Sequence, residues 1–311
     1  MASELKSVSF KNGNLNLAGE LRFPPGFDAN AQYAALIIVM PGSNVKEQIG
    51  AFYGERMAQR GFVTLAFDPS HQGQSDGEPR DLESPAARVE DIRCAVDFLT
   101  TLPYVGEHCI GVLGVCAGGG YAVNAAMTEH RIKAVGTVVA VNIGRAFRQA
   151  MPTPGAVANL LDAVGQQRTL EARGGEPRRE KWIPDSLEET KALGITDPDT
   201  LEAVAYYRTP RSYSPNSTNR RLYRSDAQLL GFDAFHLVGE LLTQPLQVIV
   251  GGRLGTTFSF DDGKRLWEQA RNKKDFFVIE GAGHYEMYDV PQYVDQAVER
   301  LESFYQEYLS R

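Results

Sequence analysis

The sequence predicts an α/β fold: a doubly wound, mostly parallel sheet that opens with an antiparallel hairpin and carries an inserted, mainly helical lid. Three observations predict it. Short, wholly apolar runs bounded by Gly, Pro or Asp alternate with amphipathic stretches, the pattern of strands buried on both faces of a parallel sheet. One such run passes through a glycine-rich turn directly into a stretch of small residues around Cys116. The alternation is interrupted once, over residues 143–243, by far more chain than a simple crossover needs.

The elements follow in order. Residues 6–24 read as a hairpin, with Val8 and Phe10 alternating with polar neighbours, Asn12-Gly13 offering the positive φ angles of a type I′ turn, and Leu15, Leu17 and Leu21 alternating again. The apolar runs at 35–40, 62–67, 110–113, 135–141, 246–250 and 276–279 predict the parallel strands. Residues 47–60 present Ile49, Phe52 and Met57 at helical spacing before the stop signal Gly61. Ser84-Pro85 opens a helix that buries Val89, Ile92, Val96 and Leu99, and residues 293–309 place Val294, Val298, Leu301, Tyr305 and Leu309 on one face. Within the insertion, helices are expected at 156–173, 186–193, 199–207 and 227–242. The expected organisation is therefore a core of residues 1–142 and 244–311 with a lid at 143–243.

Composition narrows the function classes. With 43% hydrophobic and 23% charged residues the chain can bury a large core and is not composed like a disordered protein. A net charge of −7 argues against wholesale binding to nucleic acid or an anionic membrane, which need a surplus of Lys and Arg. Cys94, Cys109 and Cys116 show no C-x-x-C spacing, so they read as free thiols rather than a disulfide scaffold or zinc site. Residues 1–6 lack the basic and apolar segments of a leader, and no apolar run approaches the roughly 20 residues of a membrane span. A cytoplasmic protein is expected.

Chemistry concentrates at Cys116. The run from Gly111 to Tyr121 is a strand, a sharp turn and a helix, the G-x-Nuc-x-G elbow with cysteine as nucleophile. Gly114 and Gly118 leave room for strand and helix to approach, and a helix N-terminus favours a thiolate. The bland alternative is a packing cysteine. Gly73-Gln74-Ser75-Asp76-Gly77 also fits G-x-S-x-G, but Glu78-Pro79-Arg80 follows it instead of a helix, so it reads as a loop. His284, in a glycine-rich loop after the last strand, has the chain order a general base requires; His71, His108, His130 and His236 do not. An oxyanion hole needs two convergent N–H groups, expected from Ala117 and from Ser43 or Asn44 in the turn after the first parallel strand. Nothing signals a metal, nucleotide or flavin, because Gly118 to Gly120 follow the nucleophile rather than forming a G-x-G-x-x-G cradle. No cofactor is expected.

The ordered set Pro41-Gly42-Ser43, Asp68 to Ser75, Gly114-Val115-Cys116-Ala117-Gly118-Gly119 and Gly281-Ala282-Gly283-His284 resembles the α/β-hydrolase superfamily, over about residues 6–310. The cysteine elbow is similar to dienelactone hydrolase-like members. Gln72-Gly73-Gln74-Ser75 with Gly77-Glu78-Pro79-Arg80 resembles the bacterial YcjY-like subgroup, and fungal polyketide transferases are further relatives by likeness. The resemblance implies an α/β-hydrolase fold and acyl chemistry. It also implies an Asp in G-x-x-D after the penultimate strand, where this chain has Gly252-Arg253-Leu254-Gly255. Asp261 and Asp262 lie shortly after, where Ser259 reads as a helix cap followed by first-turn acids, and Asp226 and Asp233 lie at the end of the lid. The acid stays unassigned among these four. A Cys–His pair can work without a strong carboxylate because a thiol is far more acidic than a hydroxyl.

The lid interleaves Tyr206, Tyr207, Arg208, Arg211, Tyr213, Arg220, Arg221, Tyr223 and Arg224, a pattern suited to a carboxylate, phosphate or CoA-like group, or else to a solvated loop or a dimer contact. The expected activity is hydrolysis of an ester, lactone or thioester through a Cys116 acyl-enzyme, with a small-molecule acyl substrate as partner. Acyl transfer on the same fold and a non-catalytic ligand-binding or scaffold protein are the alternatives. A homodimer is an open option.

Overall fold

The computed structural model describes residues 3–151 and 153–310. The strands are β1 (Glu4–Asn12), β2 (Leu15–Phe23), β3 (Tyr33–Val39), β4 (Val63–Phe67), β5 (Val105–Val115), β6 (Ile132–Val138), β7 (Arg179–Lys181), β8 (Arg220–Leu222), β9 (Leu246–Gly251) and β10 (Lys273–Ile279). Eight of them form one sheet in the order β1-β2-β4-β3-β5-β6-β9-β10, antiparallel through β1, β2 and β4 and parallel from β4 onward. The doubly wound sheet with an antiparallel start is thus as expected.

The hairpin differs in its turn. Pairing of Asn12 with Leu15 centres the turn on Gly13-Asn14, and only Gly13 has positive φ, at 55°. That is the type II′ pattern, which needs a glycine at the first central position only.

The sheet is buried on both faces because its central strands are apolar on both. Ala35, Ile37 and Val39 of β3 join one core with Val89, Ile92, Val96 and Leu99 of α2 (Pro85–Thr100) and Tyr121 and Ala122 of α3 (Ala117–Ala126). Leu36 and Ile38 enter the other with Tyr53 and Met57 of α1 (Ala51–Ala58) and Val294, Val298, Leu301 and Tyr305 of α12 (Pro291–Tyr308). Each fully buried aliphatic side chain contributes roughly 2 kcal/mol. Ser84 accepts from the Ala87 N–H and Pro85 occupies the first turn, which fixes where α2 starts. The stretch expected to be helical from residue 47 begins instead as a π-type turn, Lys46–Gly50, before α1. The run at 135–141 leaves the sheet after Val138, since Val139 turns to φ 43°.

Between β6 and β9 lie α4 (Ile143–Gln149), α5 (Pro154–Ala172), α6 (Leu187–Ala192), α7 (Pro198–Tyr207), α8 (Ser225–Leu230) and α9 (Val238–Leu241). Three features differ from expectation, the first being α4, where no helix is expected. The helix expected at 227–242 is broken into α8 and α9, with Gly231 capping the first. The charged segments β7 and β8 pair as an antiparallel ribbon, Arg179 opposite Leu222 and Lys181 opposite Arg220. After β9 come α10 (Ser259–Gln269) and α11 (Glu286–Asp289). Ser259 is the first residue of α10 rather than its cap, which is Phe258 at φ 61°. Among the described residues no helix is long and apolar enough to cross a membrane.

Candidate active site

Cys116 sits between β5 and α3 at φ 55°, ψ −129°. A non-glycine residue in this region is strained and persists only where its surroundings hold it. Here its N–H donates to the Val138 carbonyl (3.1 Å), and its carbonyl accepts from Gly119 and Val141 N–H groups (2.9 Å each). Close approach of strand and helix explains two flanking glycines. A Cβ on Gly114 would lie 2.5 Å from the Gly118 carbonyl oxygen, and one on Gly118 would lie 2.1 Å from that of Val39. Cys116 lines a cavity, whereas Cys94 and Cys109 are buried. Burial pushes the Cys116 thiol up to about 11, with partial relief because the Tyr288 hydroxyl and the Ala117 N–H can donate to the sulfur once it is a thiolate.

His284 is buried in the loop between β10 and α11, where the Gly283 N–H donates to Glu286 (2.7 Å). Its Nε2 lies 3.1 Å from the Tyr288 hydroxyl, and its Nδ1 is buried without a hydrogen-bond partner. The same Tyr288 hydroxyl neighbours the Cys116 sulfur and favours its thiolate form. Tyr288 therefore stands between the two residues that the sequence picks out. It escapes sequence reading because a tyrosine four residues after a histidine is unremarkable; only the tertiary fold brings it to the sulfur. Tyr206, Tyr207 and Tyr285 pack around it, with ring centroids at 5.0, 6.3 and 5.1 Å.

Burial pushes His284 down to about 3, so it is neutral in the fold at neutral pH. A depressed histidine contributes stability that is present above its unfolded value near 6.5 and is lost as pH falls toward 3. Between pH 6.5 and 4.5 this loss is on the order of 2 kcal/mol. Paired denaturant melts of the wild type and His284→Gln should show the steeper acid loss in the wild type; parallel pH profiles would contradict the burial argument.

None of the four candidate acids hydrogen-bonds His284. Asp262 is buried, but it accepts from the Asn142 N–H (2.8 Å) and pairs with Arg145. Asp261 is exposed in the first turn of α10. Asp233 accepts from the Asn142 side chain (2.7 Å), and Asp226 pairs with Arg221 (2.7 Å). The loop after β9 has no room for an acid at Gly255, where a Cβ would lie 2.2 Å from an Asp199 carboxylate oxygen.

The loop after β3 brings Ser43 to the cavity wall at φ 56°. Asn44 is fully buried behind it, with Nδ2 donating to the Tyr207 hydroxyl (3.2 Å). Ala117 follows Cys116 in sequence, and both line the same cavity as Ser43. Arg88, unforeseen from sequence, fixes this loop from below by donating to the carbonyls of Met40 (2.6 Å) and Pro41 (3.0 Å). Its charge is balanced by buried Glu83 at 3.6 Å, which also accepts from Tyr121 (2.7 Å). From above, Ser217 donates to the Ser43 carbonyl (2.8 Å) and the Trp182 ring lies over Gly42. Ser75 of the second G-x-S-x-G is buried, donating to the Asp68 carbonyl (2.6 Å) and accepting from the Ala18 N–H (2.9 Å).

The cavity measures about 490 Å³. Its wall is mainly apolar, with Val141, Ile143, Phe147, Met151, Trp182 and Phe258 contributing. The cations that reach it are already engaged. Lys181 pairs with Asp185 (2.9 Å), Arg208 with the same carboxylate (3.7 Å) and Arg221 with Asp226 (2.7 Å). Arg220 also pairs with Asp185 (3.0 Å), and Arg211 pairs with Asp289. Among the described residues no group of three or more His, Cys, Asp and Glu is placed to hold a metal ion.

Comparison with known proteins agrees with the fold. The sequence profile described as "Alpha/beta hydrolase family" matches residues 38–297. An uncharacterized protein of Escherichia coli K12, YcjY, is 40% identical over 309 residues, covering 97% of this chain and 98% of the relative. The crystal structure of a hypothetical protein from Pseudomonas aeruginosa superposes with a TM-score of 0.88 at 31% identity, over 98% of this chain and 94% of the other. A protein named a thiohydrolase in Aspergillus aculeatus is 25% identical over 70% of this chain and 69% of its own length.

Proposed function

The chain belongs to the alpha/beta hydrolase family, and from that premise we propose that it is an acyl hydrolase acting on thioesters or activated esters through Cys116 and His284. The observation that carries this reading is the strained Cys116, which lines one cavity with Ala117, Ser43 and Tyr288, whose hydroxyl lies 3.1 Å from His284. Cys116 gives up its proton toward His284, and the sulfur attacks the acyl carbonyl. The N–H groups of Ala117 and Ser43 hold the oxyanion. Collapse expels the leaving thiol or alcohol, which takes the proton back from His284. Water, deprotonated by His284, then attacks the thioester on Cys116; the C–S bond breaks, the acid is freed, and the proton on His284 returns to the sulfur. Residues 143–243 act as a lid over the acyl-enzyme.

A cysteine nucleophile and the relative named a thiohydrolase both favour a thioester over an amide, since a thiolate expels activated leaving groups well. The mainly apolar wall and the engaged cations favour an uncharged acyl group. A hexanoyl thioester should exceed an adipoyl thioester by about 10-fold or more in kcat/KM, because the second carboxylate would be desolvated without a free partner. Initial rates on the two substrates check this, and equal values would return the lid arginines to anion recognition.

The mechanism itself is tested by mass spectrometry of protein quenched during turnover of a short-chain thioester. The expected result is one acyl group on the peptide that contains Cys116. Turnover with the acyl group elsewhere, or with none at Cys116 under rapid quench, overturns the assignment.

A further inference from the structure

We propose that Tyr288 is a catalytic residue of this site, a proton relay through which the Cys116 thiol reaches His284. The inference rests on the cysteine–histidine reading above and adds to it the path of the proton. Among the described residues no hydrogen bond joins His284 to Cys116 directly; the Tyr288 hydroxyl lies 3.1 Å from Nε2, and Tyr288 lines the same cavity as Cys116, whose sulfur its hydroxyl neighbours.

A phenol suits this place because it donates one hydrogen bond while accepting others. With the imidazole proton on Nδ1, Nε2 accepts from the Tyr288 O–H, and the Tyr288 oxygen accepts from the Cys116 S–H. As the sulfur attacks, the S–H bond breaks and its proton joins the Tyr288 oxygen. The former O–H proton passes to Nε2, and the electron pair of the S–H bond becomes the new S–C bond. Tyr288 ends neutral, His284 carries one added proton and the oxyanion carries the balancing charge. Burial lifts the Tyr288 hydroxyl well above the ordinary phenol value, which opposes a free phenolate and favours moving the two protons together.

Two further observations fit a relay better than a passive contact. Tyr288 is fully buried and clamped among Tyr206, Tyr207 and Tyr285, so its oxygen is preorganised. His284 Nδ1 lacks the carboxylate that would orient the ring, leaving the Tyr288 hydroxyl as its hydrogen-bonding anchor.

The test is the rate of acyl-adduct formation at Cys116, by rapid quench with a short-chain thioester, in wild type and Tyr288→Phe. The variant should acylate about 100-fold more slowly. In mixtures of light and heavy water the wild-type rate should curve with deuterium content, as two protons in flight require, and the variant's rate should not. Should the phenylalanine variant fail to fold, fluorotyrosine incorporated at 288 keeps the ring and its hydrogen bonds while raising hydroxyl acidity; the acylation rate should then change with the number of fluorines. An adduct forming in Tyr288→Phe within about threefold of the wild-type rate, or a rate indifferent to fluorination, overturns the relay and leaves the cysteine nucleophile intact. Absence of any Cys116 adduct in the wild type overturns the nucleophile reading and the relay with it.

Discussion

Cys116→Ala is expected to lower thioester turnover by at least about 1,000-fold while leaving the fold in place. The two halves of this expectation have separate grounds. Loss of activity follows if every turnover passes through a sulfur–acyl bond that alanine cannot make. Retention of the fold follows because the backbone contacts holding the elbow use the Cys116 N–H and carbonyl, both present in alanine. The side chain surrenders only its contacts with Tyr288 and Ala117, about 1 kcal/mol at stake. Cys116→Ser sharpens the point. A hydroxyl needs a stronger base than a thiol does, and His284 has no carboxylate behind its Nδ1, so serine should restore little of the rate. Steady-state kinetics and melting curves of the three proteins check both halves; an alanine variant that keeps a tenth of the wild-type rate would remove Cys116 from the mechanism.

Gly118→Ala is expected to cost more than about 4 kcal/mol, or to prevent folding at growth temperature. The added methyl would lie 2.1 Å from the Val39 carbonyl oxygen and 2.8 Å from that of Met40, both backbone atoms of the strand end that also carries the Ser43 loop. Neither atom can turn aside as a long side chain would. Relief requires α3 to move off the sheet, which opens the packing of Tyr121 and Ala122 and displaces Cys116. A soluble variant with melting behaviour within about 1 kcal/mol of wild type would contradict the close contact. Gly13→Ala, open on all sides but at positive φ, should cost far less.

Much of this architecture was legible because it is encoded locally. The hairpin is marked by alternation and a glycine, the central strands by uninterrupted apolar runs, and the elbow by glycines at fixed offsets around Cys116. The break between α8 and α9 escapes sequence reading because Gly231 lies inside an otherwise helical pattern, and the β7–β8 ribbon because two three-residue, mostly charged segments carry no strand period. Within the site, Cys116, Ala117, Ser43 and His284 were legible for the same local reason. Tyr288, Arg88 and Glu83 were not, since their meaning lies in what they touch: a sulfur on a distant strand, and the carbonyls at the end of β3. The lid arginines are read from a stretch that hides their partners. Their stretch of sequence holds no acid between Glu202 and Asp226, yet Asp185 and Asp289 reach them from elsewhere in the chain.

The open sheet ends in two free edges, and both are built against aggregation. β1 exposes Glu4, Lys6 and Ser7 along its outer course, and β10 exposes Lys273 and Lys274 at its start. Lys273, Lys274 and Arg300 lie over the rings of Trp267, Tyr308 and Phe277, so cations cover the aromatics beside the second edge. A strand arriving from another molecule would have to strip water from those charges before it could pair. Growth of the sheet from one molecule into the next is thereby opposed at both ends, and the long apolar strands that make the core remain shielded at the high concentrations of a crowded solution.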